Sequence, residues 1–119
     1  MRLSLTVVPV EDLQASAAFY RAAFGLTVSV DEPVYVEMRD DAGMRLGLYR
    51  RDAWAKLTGR PAASVPPGAL APVELYFTCD ELDAAIERIV AAGAEQLSAK
   101  SARDWGDECA YFADPTGNV

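Results

Sequence analysis

The chain has no histidine among its 119 residues, so any chemistry it performs must draw on carboxylates, tyrosines, arginines, lysines or thiols. That absence excludes a Ser-His-Asp triad, a Cys-His dyad, a histidine-containing zinc centre and imidazole proton transfer. The residues of interest lie in alternating runs. Glu74 sits in VELYFT with Tyr76, on the opposite parity from Leu75 and Phe77. A carboxylate so placed can in principle ligate an oxygen-preferring ion or act as a general base. Kept from water, it needs a partner charge or takes up a proton, and Arg45 is a partner within the chain.

Two further runs carry matching side chains. Tyr35, Glu37 and Arg39 share one parity of VYVEMRD, and Arg45, Gly47 and Tyr49 share one parity of MRLGLYR. Tyr35, Tyr49 and Tyr76, a glycine that leaves room and the inward carboxylate of Glu74 describe a surface for a flat, partly apolar ligand. Trp54 and Trp105 serve either as stacking groups beside it or as plugs over the core, and Trp54 also suits a subunit interface. Cys79 and Cys109 are too far apart for a CxxC pair and read as small buried hydrophobes in a reducing cytoplasm.

The elements that position these residues follow from pattern. Leu3 to Val8 reads as a strand ended by Pro9. Asp12 caps a helix over LQASAAFYRAAF that Gly25 stops. Short strands follow at Leu26 to Val30 and Val34 to Arg39. Asp40 to Gly43 makes a hairpin turn, with Gly43 at positive φ, and Met44 to Arg50 returns. Residues 51–58 make one or two helical turns, and the Pro-rich stretch 59–72 is a linker. The second half restarts with a strand at 73–78. Asp80 caps a helix with a buried stripe of Leu82, Ile86, Ile89 and Val90, and Gly93 ends it. Strands at 95–98 and 109–113 flank a loop over 100–108, and Asp114 to Asn118 is a turn. The order of elements thus repeats, with Asp12 and Asp80 about 68 positions apart. One helix per unit covers one sheet face and leaves the other bare, so two sheets would curve around a shared cleft.

Composition sets the class. A chain of this length holds one domain, and 51% hydrophobic residues can build a core without staples. Eleven basic against eighteen acidic residues give a net charge of −7, which excludes the basic footprint of a nucleic-acid binder and mildly favours cationic ligands. The amino-terminal run reads as neither signal peptide nor membrane span.

The segment VVPVEDLQASAAFYRAAFGL, with Asp12-Leu13, Phe19-Tyr20 and Gly25-Leu26, resembles the opening of vicinal oxygen chelate proteins. ELYFTCDELDAAIERIVAAGA and the closing YFADPTGNV match the second half of the same superfamily, and the Asp114-Pro115-Thr116-Gly117-Asn118 turn is the most specific piece. That superfamily includes glyoxalase I, bleomycin-resistance proteins and extradiol dioxygenases. The resemblance implies an α+β fold of two βαβββ modules whose curved mixed sheets enclose a cleft. Module one covers about 1–58, the linker 59–72 and module two 73–119, with its last strand expected beyond Val119. It also implies a homodimer and a site on the helix-free sheet face.

Metal-dependent relatives bind an ion from four strand positions. Carried over, the first is Leu5 and the second Gly47, neither of which supplies a side-chain donor. The third is Glu74, and the fourth falls about two residues past Val119. A dedicated catalytic site needs about three protein ligands, so the donor count argues against a metal cofactor. The expected function is metal-free binding of an aromatic, cationic small molecule, as in the bleomycin-resistance branch. Its contacts are Leu5, Tyr35, Arg45, Gly47, Tyr49, Trp54, Glu74, Tyr76 and Trp105. The alternative is a glyoxalase-like lyase, isomerase or dioxygenase with Glu74 as ligand or base.

Overall fold

The computed structural model describes residues 1–119. The first half is a complete βαβββ unit, formed by β1 (Thr6–Val10), α1 (Leu13–Phe24), β2 (Thr27–Glu32), β3 (Tyr35–Arg39) and β4 (Arg45–Arg50). The strands make one mixed sheet in the order β1-β4-β3-β2, with β1 parallel to β4 and the other pairs antiparallel. Helix α1 begins where expected, because the Asp12 carboxylate accepts the Ala15 N–H at 2.9 Å. It ends at Gly25, whose φ of 70° is open to a residue without Cβ.

Strand alternation decides which face α1 covers. Val8, Val10, Val36, Met38, Leu46 and Leu48 are all buried and meet Leu13, Ala17, Phe19 and Tyr20 from the helix. Burial of side chains of this size stabilises by about 1.5–3 kcal/mol each, so this cluster holds the first half together. The opposite parity, Tyr35, Glu37 and Arg39 with Arg45, Gly47 and Tyr49, lies on the helix-free face. The hairpin turn is as expected, with Gly43 at φ 93° and the Met44 N–H on the Asp40 carboxylate at 2.8 Å.

Pro9 does not end the first strand, which runs on to Val10. A residue's N and C=O point to the same side of a strand, and the Pro9 carbonyl accepts from Asn118 Nδ2 at 3.1 Å, away from β4. The missing N–H therefore costs no ladder bond, as suits proline on an edge strand.

After α2 (Arg51–Thr58), residues 59–72 carry no helix or strand. The second half comprises α3 (Leu82–Ala91), β5 (Glu95–Ala102) and β6 (Glu108–Ala113), the last two forming an antiparallel pair. It departs from expectation in four ways. Residues 73–78 form no strand, because a strand needs a ladder and a single bond, Leu75 N–H to the Val119 carbonyl at 2.8 Å, is made there. Their alternation still acts: Leu75 packs on the core and Phe77 stacks on Phe24 with ring centroids 4.0 Å apart, while Tyr76 faces away. Asp80 does not cap α3; Glu81 holds that position and makes no side-chain cap bond. Strand β5 runs four residues past the expected end, leaving 103–107 as the loop. The stripe on α3 is only partly covered, with Ala85 buried, Leu82, Ile86 and Ile89 half-buried and Val90 exposed. Arg88 Nε ties α3 to the Ala23 carbonyl at the end of α1 at 3.0 Å. No helix is long and apolar enough to cross a membrane.

The closing turn staples the two halves. The buried Asp114 carboxylate accepts the Tyr20 hydroxyl at 2.9 Å, the Thr116 N–H at 2.8 Å and the Asn118 N–H and Nδ2 at 2.9 Å each. Burial, then the charge and hydrogen bond of Asp114, pushes the Tyr20 hydroxyl well above the usual tyrosine range. The raised folded-state value means stability is full below about pH 10, where free tyrosine titrates, and falls as pH rises beyond it. Urea midpoints measured from pH 8 to 11 should therefore decline, and Tyr20→Phe should flatten that decline while costing about 1 kcal/mol at neutral pH. An unchanged alkaline slope in Tyr20→Phe would refute the assignment.

Candidate functional site

The helix-free face of the first sheet is built in rungs. Cross-strand partners on it are Tyr35 with Tyr49, Glu37 with Gly47, and Arg39 with Arg45. The Tyr35 and Tyr49 rings lie 5.5 Å apart, and Tyr49 stacks on Trp54 of α2 at 6.0 Å and 23°. The three rings make a half-buried aromatic row. Trp54 reaches it because α2 starts directly after β4, within one helical turn of Tyr49.

Glu37 anchors the middle rung and is only 7% exposed. Its carboxylate accepts Arg45 Nε at 2.8 Å and Arg45 Nη2 at 2.9 Å, a bidentate geometry that adds directional as well as electrostatic strength. The Tyr35 hydroxyl donates to it at 3.0 Å, and the Ser29 hydroxyl, set in a bulge of β2, lies 3.4 Å away. The hydrogen bonds from Arg45 outweigh desolvation and hold the Glu37 carboxyl below its ordinary value. Burial, then the hydrogen bond to Glu37, pushes the Tyr35 hydroxyl up. Neither Glu37 nor Tyr35 is thereby poised for proton transfer near neutral pH. Gly47 is buried because the Tyr35 ring lies across it: a Cβ there would meet Tyr35 Cε2 and Oη at 2.9 Å and Val7 Cγ2 at 3.0 Å. The room that glycine leaves is filled by tyrosine, a correction to the expectation that a ligand fills it.

Tyr35, Arg45, Gly47, Tyr49 and Trp54 thus come together. Leu5 is half-buried, one residue before β1 and next to the Thr6–Leu46 pair of its register. The other expected contacts do not join this group. Glu74 is exposed and does not pair with Arg45, which Glu37 holds instead. Tyr76 bonds Asp107 at 2.9 Å and meets Cys109 Sγ at 3.1 Å. Hydrogen bonding to Cys109 and to Asp107 pushes the Tyr76 hydroxyl up to about 12, which keeps it neutral. Trp105 is 60% exposed on the 103–107 loop, so it does not plug the core. Cys109 is buried as expected, whereas Cys79 is exposed.

Glu74 and Tyr76 line a separate cleft of about 710 Å³. It lies between α1, α3, residues 74–80 and β6, with Phe24, Phe77, Ile86 and Phe112 among its walls. It explains the incomplete cover of α3. The sequence carried one signal for Glu37: the Asp40–Gly43 turn fixes Arg39 opposite Arg45, which puts Glu37 diagonal to Arg45 and within reach of a long side chain.

The four-position metal set of the related enzymes does not fit. Leu5 has no donor, Gly47 has no side chain and lies under a ring, and Glu74 is exposed on another surface. Glu37, the nearest carboxylate to Gly47, already receives three close donors. No three His, Cys, Asp or Glu side chains gather closely enough to hold an ion.

Comparison with known proteins supplies the kinship. The glyoxalase-like domain family matches residues 5–119. A glyoxalase/bleomycin resistance protein/dioxygenase from Nocardioides is 30% identical, with a TM-score of 0.76 over 99% of this chain and 79% of that one. A glyoxalase-related enzyme from Fulvimarina pelagi is 26% identical, with a TM-score of 0.80 over 98% and 83%. A lactoylglutathione lyase from Agrobacterium tumefaciens is 26% identical, with a TM-score of 0.71 over 98% and 88%. No curated protein matches the chain. With its α+β architecture, its curved mixed sheet and a family match over nearly its whole length, the chain belongs to the glyoxalase-like family of the vicinal oxygen chelate superfamily.

Proposed function

We propose that this chain binds a flat aromatic small molecule without a metal ion and sequesters it, as expected of the bleomycin-resistance branch. The observation that carries this reading is the half-buried row Tyr35–Tyr49–Trp54 on the sheet face opposite α1. Such rings offer large apolar area at little conformational cost. The Glu37–Arg45 pair supports it by fixing Tyr35 in place, so that the surface is formed before the ligand arrives. The same reading takes in a homodimer, on family resemblance, and a cytoplasmic setting, on two free thiols.

A thermal-shift panel tests it, with flat aromatic compounds on one side and Mn²⁺, Ni²⁺, Zn²⁺ and a chelator on the other. An aromatic ligand at about 100 times its Kd adds roughly 2.7 kcal/mol of stability. Trp54→Ala, which removes one ring of the row, should raise Kd at least tenfold and so lower that stabilisation to about 1.4 kcal/mol or less at the same ligand concentration. Stabilisation by a divalent ion that the chelator reverses would sink the metal-free reading and return the enzyme alternative.

A further inference from the structure

We propose that the ligand of this face carries a carboxylate, held by the Arg39–Arg45 rung at the far end of the aromatic row. This rests on the binding reading just given and adds the chemical class of the ligand. Arg39 and Arg45 are direct cross-strand partners. Both belong to the helix-free parity, since Met38 and Leu46 beside them are buried in the core. Like charges in directly opposed positions destabilise a sheet; Glu37 offsets the charge of Arg45, which leaves the charge of Arg39 without a partner on the rung.

The free hydrogen-bonding capacity here lies on donors. Glu37 is buried, and both its oxygens already accept from Arg45, with Tyr35 and Ser29 adding to them. It offers nothing further to a cation. Arg45 spends only Nε and Nη2 on Glu37, and its side chain is 44% exposed, so Nη1 is unspent. Arg39 is exposed, and its guanidinium makes no hydrogen bond or ion pair within the chain. On the face itself two guanidiniums stand against the one carboxylate of Glu37; of the acids in the adjoining turn, Asp40 is turned to the Met44 N–H at 2.8 Å and Asp41 follows it. The opposing long-range field of the net charge of −7 is screened over about 8 Å at physiological salt, so the local contact decides the sign of the ligand.

Spacing sets the shape. Successive same-face rungs lie two residues, roughly 7 Å, apart. The Tyr35 ring lies over the middle rung at Gly47, so an aromatic ring seated on it is about one rung from the guanidiniums. A fused bicyclic carboxylate spans that distance.

Calorimetric titration of the whole chain with three probes sharing one ring tests the assignment: 2-naphthoate, 2-naphthalenemethanol and 2-naphthylmethylammonium. The carboxylate should bind about tenfold or more tighter than the alcohol, as hydrogen bonds to charged groups allow, and the ammonium most weakly. Arg39→Gln, which leaves the Glu37–Arg45 pair intact, should remove most of the preference. Arg21→Gln, the same charge change on α1, should leave it. The double variant Glu37→Gln/Arg45→Gln avoids a stranded buried carboxylate and should also lose the preference while remaining folded by circular dichroism. Equal or tighter binding of the alcohol or ammonium overturns the carboxylate assignment and leaves aromatic binding standing, and so does an equal loss in Arg21→Gln. Failure of all three probes to bind overturns the aromatic reading and this inference with it.

Discussion

Asp114→Ala should lose about 3–5 kcal/mol of stability, the largest single-residue effect expected outside the hydrophobic core. The carboxylate serves four donors from within the protein, at 2.8–2.9 Å. Each such bond contributes about 1 kcal/mol net, and each donor left buried without a partner costs about 1–3 kcal/mol. The Tyr20 hydroxyl is the costliest of these, because its residue is only 2% exposed. Asp114→Asn keeps one acceptor oxygen and should lose about half as much. At this chain length the alanine variant should melt roughly 10–20 °C lower. Urea titration checks the free energy, and a loss below about 1 kcal/mol would show that water replaces the carboxylate.

Gly47→Ala should cost about 1–3 kcal/mol, the range for forcing extra atoms into a packed site. The added Cβ meets the Tyr35 ring at 2.9 Å, and the ring cannot withdraw without breaking its 3.0 Å bond to Glu37. A double-mutant cycle isolates the cause. In a Tyr35→Ala background the same substitution should cost at least about 1 kcal/mol less, the coupling typical of residues in contact. Additive costs would place the strain at Val7 Cγ2 instead, which the new Cβ meets at 3.0 Å. Coupling to Tyr35 would show that a single methyl group alters the aromatic surface.

What could be read from residue order alone divides by the range of the interaction. Asp12, Gly25 and Gly43 act within a turn of themselves, and each does what its type implies, whereas Asp80, equally local, does not, because α3 starts one residue later with Glu81 at the cap. Parity also assigned the two faces of β3 and β4 correctly, since one buried face fixes register. Parity alone cannot choose the partner of Arg45, because both Glu37 and Glu74 share the helix-free parity in a simple alternating scheme. The nearer one lies within the same hairpin; the other depends on how the second half packs, which parity does not encode. Residues 73–78 show the same limit. Their alternation is real, but a ladder also needs a neighbouring strand. Pro9 failed in the other direction, because proline ends a strand only where its N–H would have been used.

The staple at Asp114 also bears on the order in which the molecule assembles. Tyr20 and Asp114 are 94 residues apart, and Pro9 and Asn118 are 109 apart. The hairpins of the first sheet close short loops and can form early, whereas these contacts wait on a far longer closure. Interactions made after the rate-limiting barrier slow unfolding and leave the folding rate nearly untouched. The turn Asp114–Asn118 is therefore expected to act as a late latch, and its loss should raise the unfolding rate more than it lowers the folding rate.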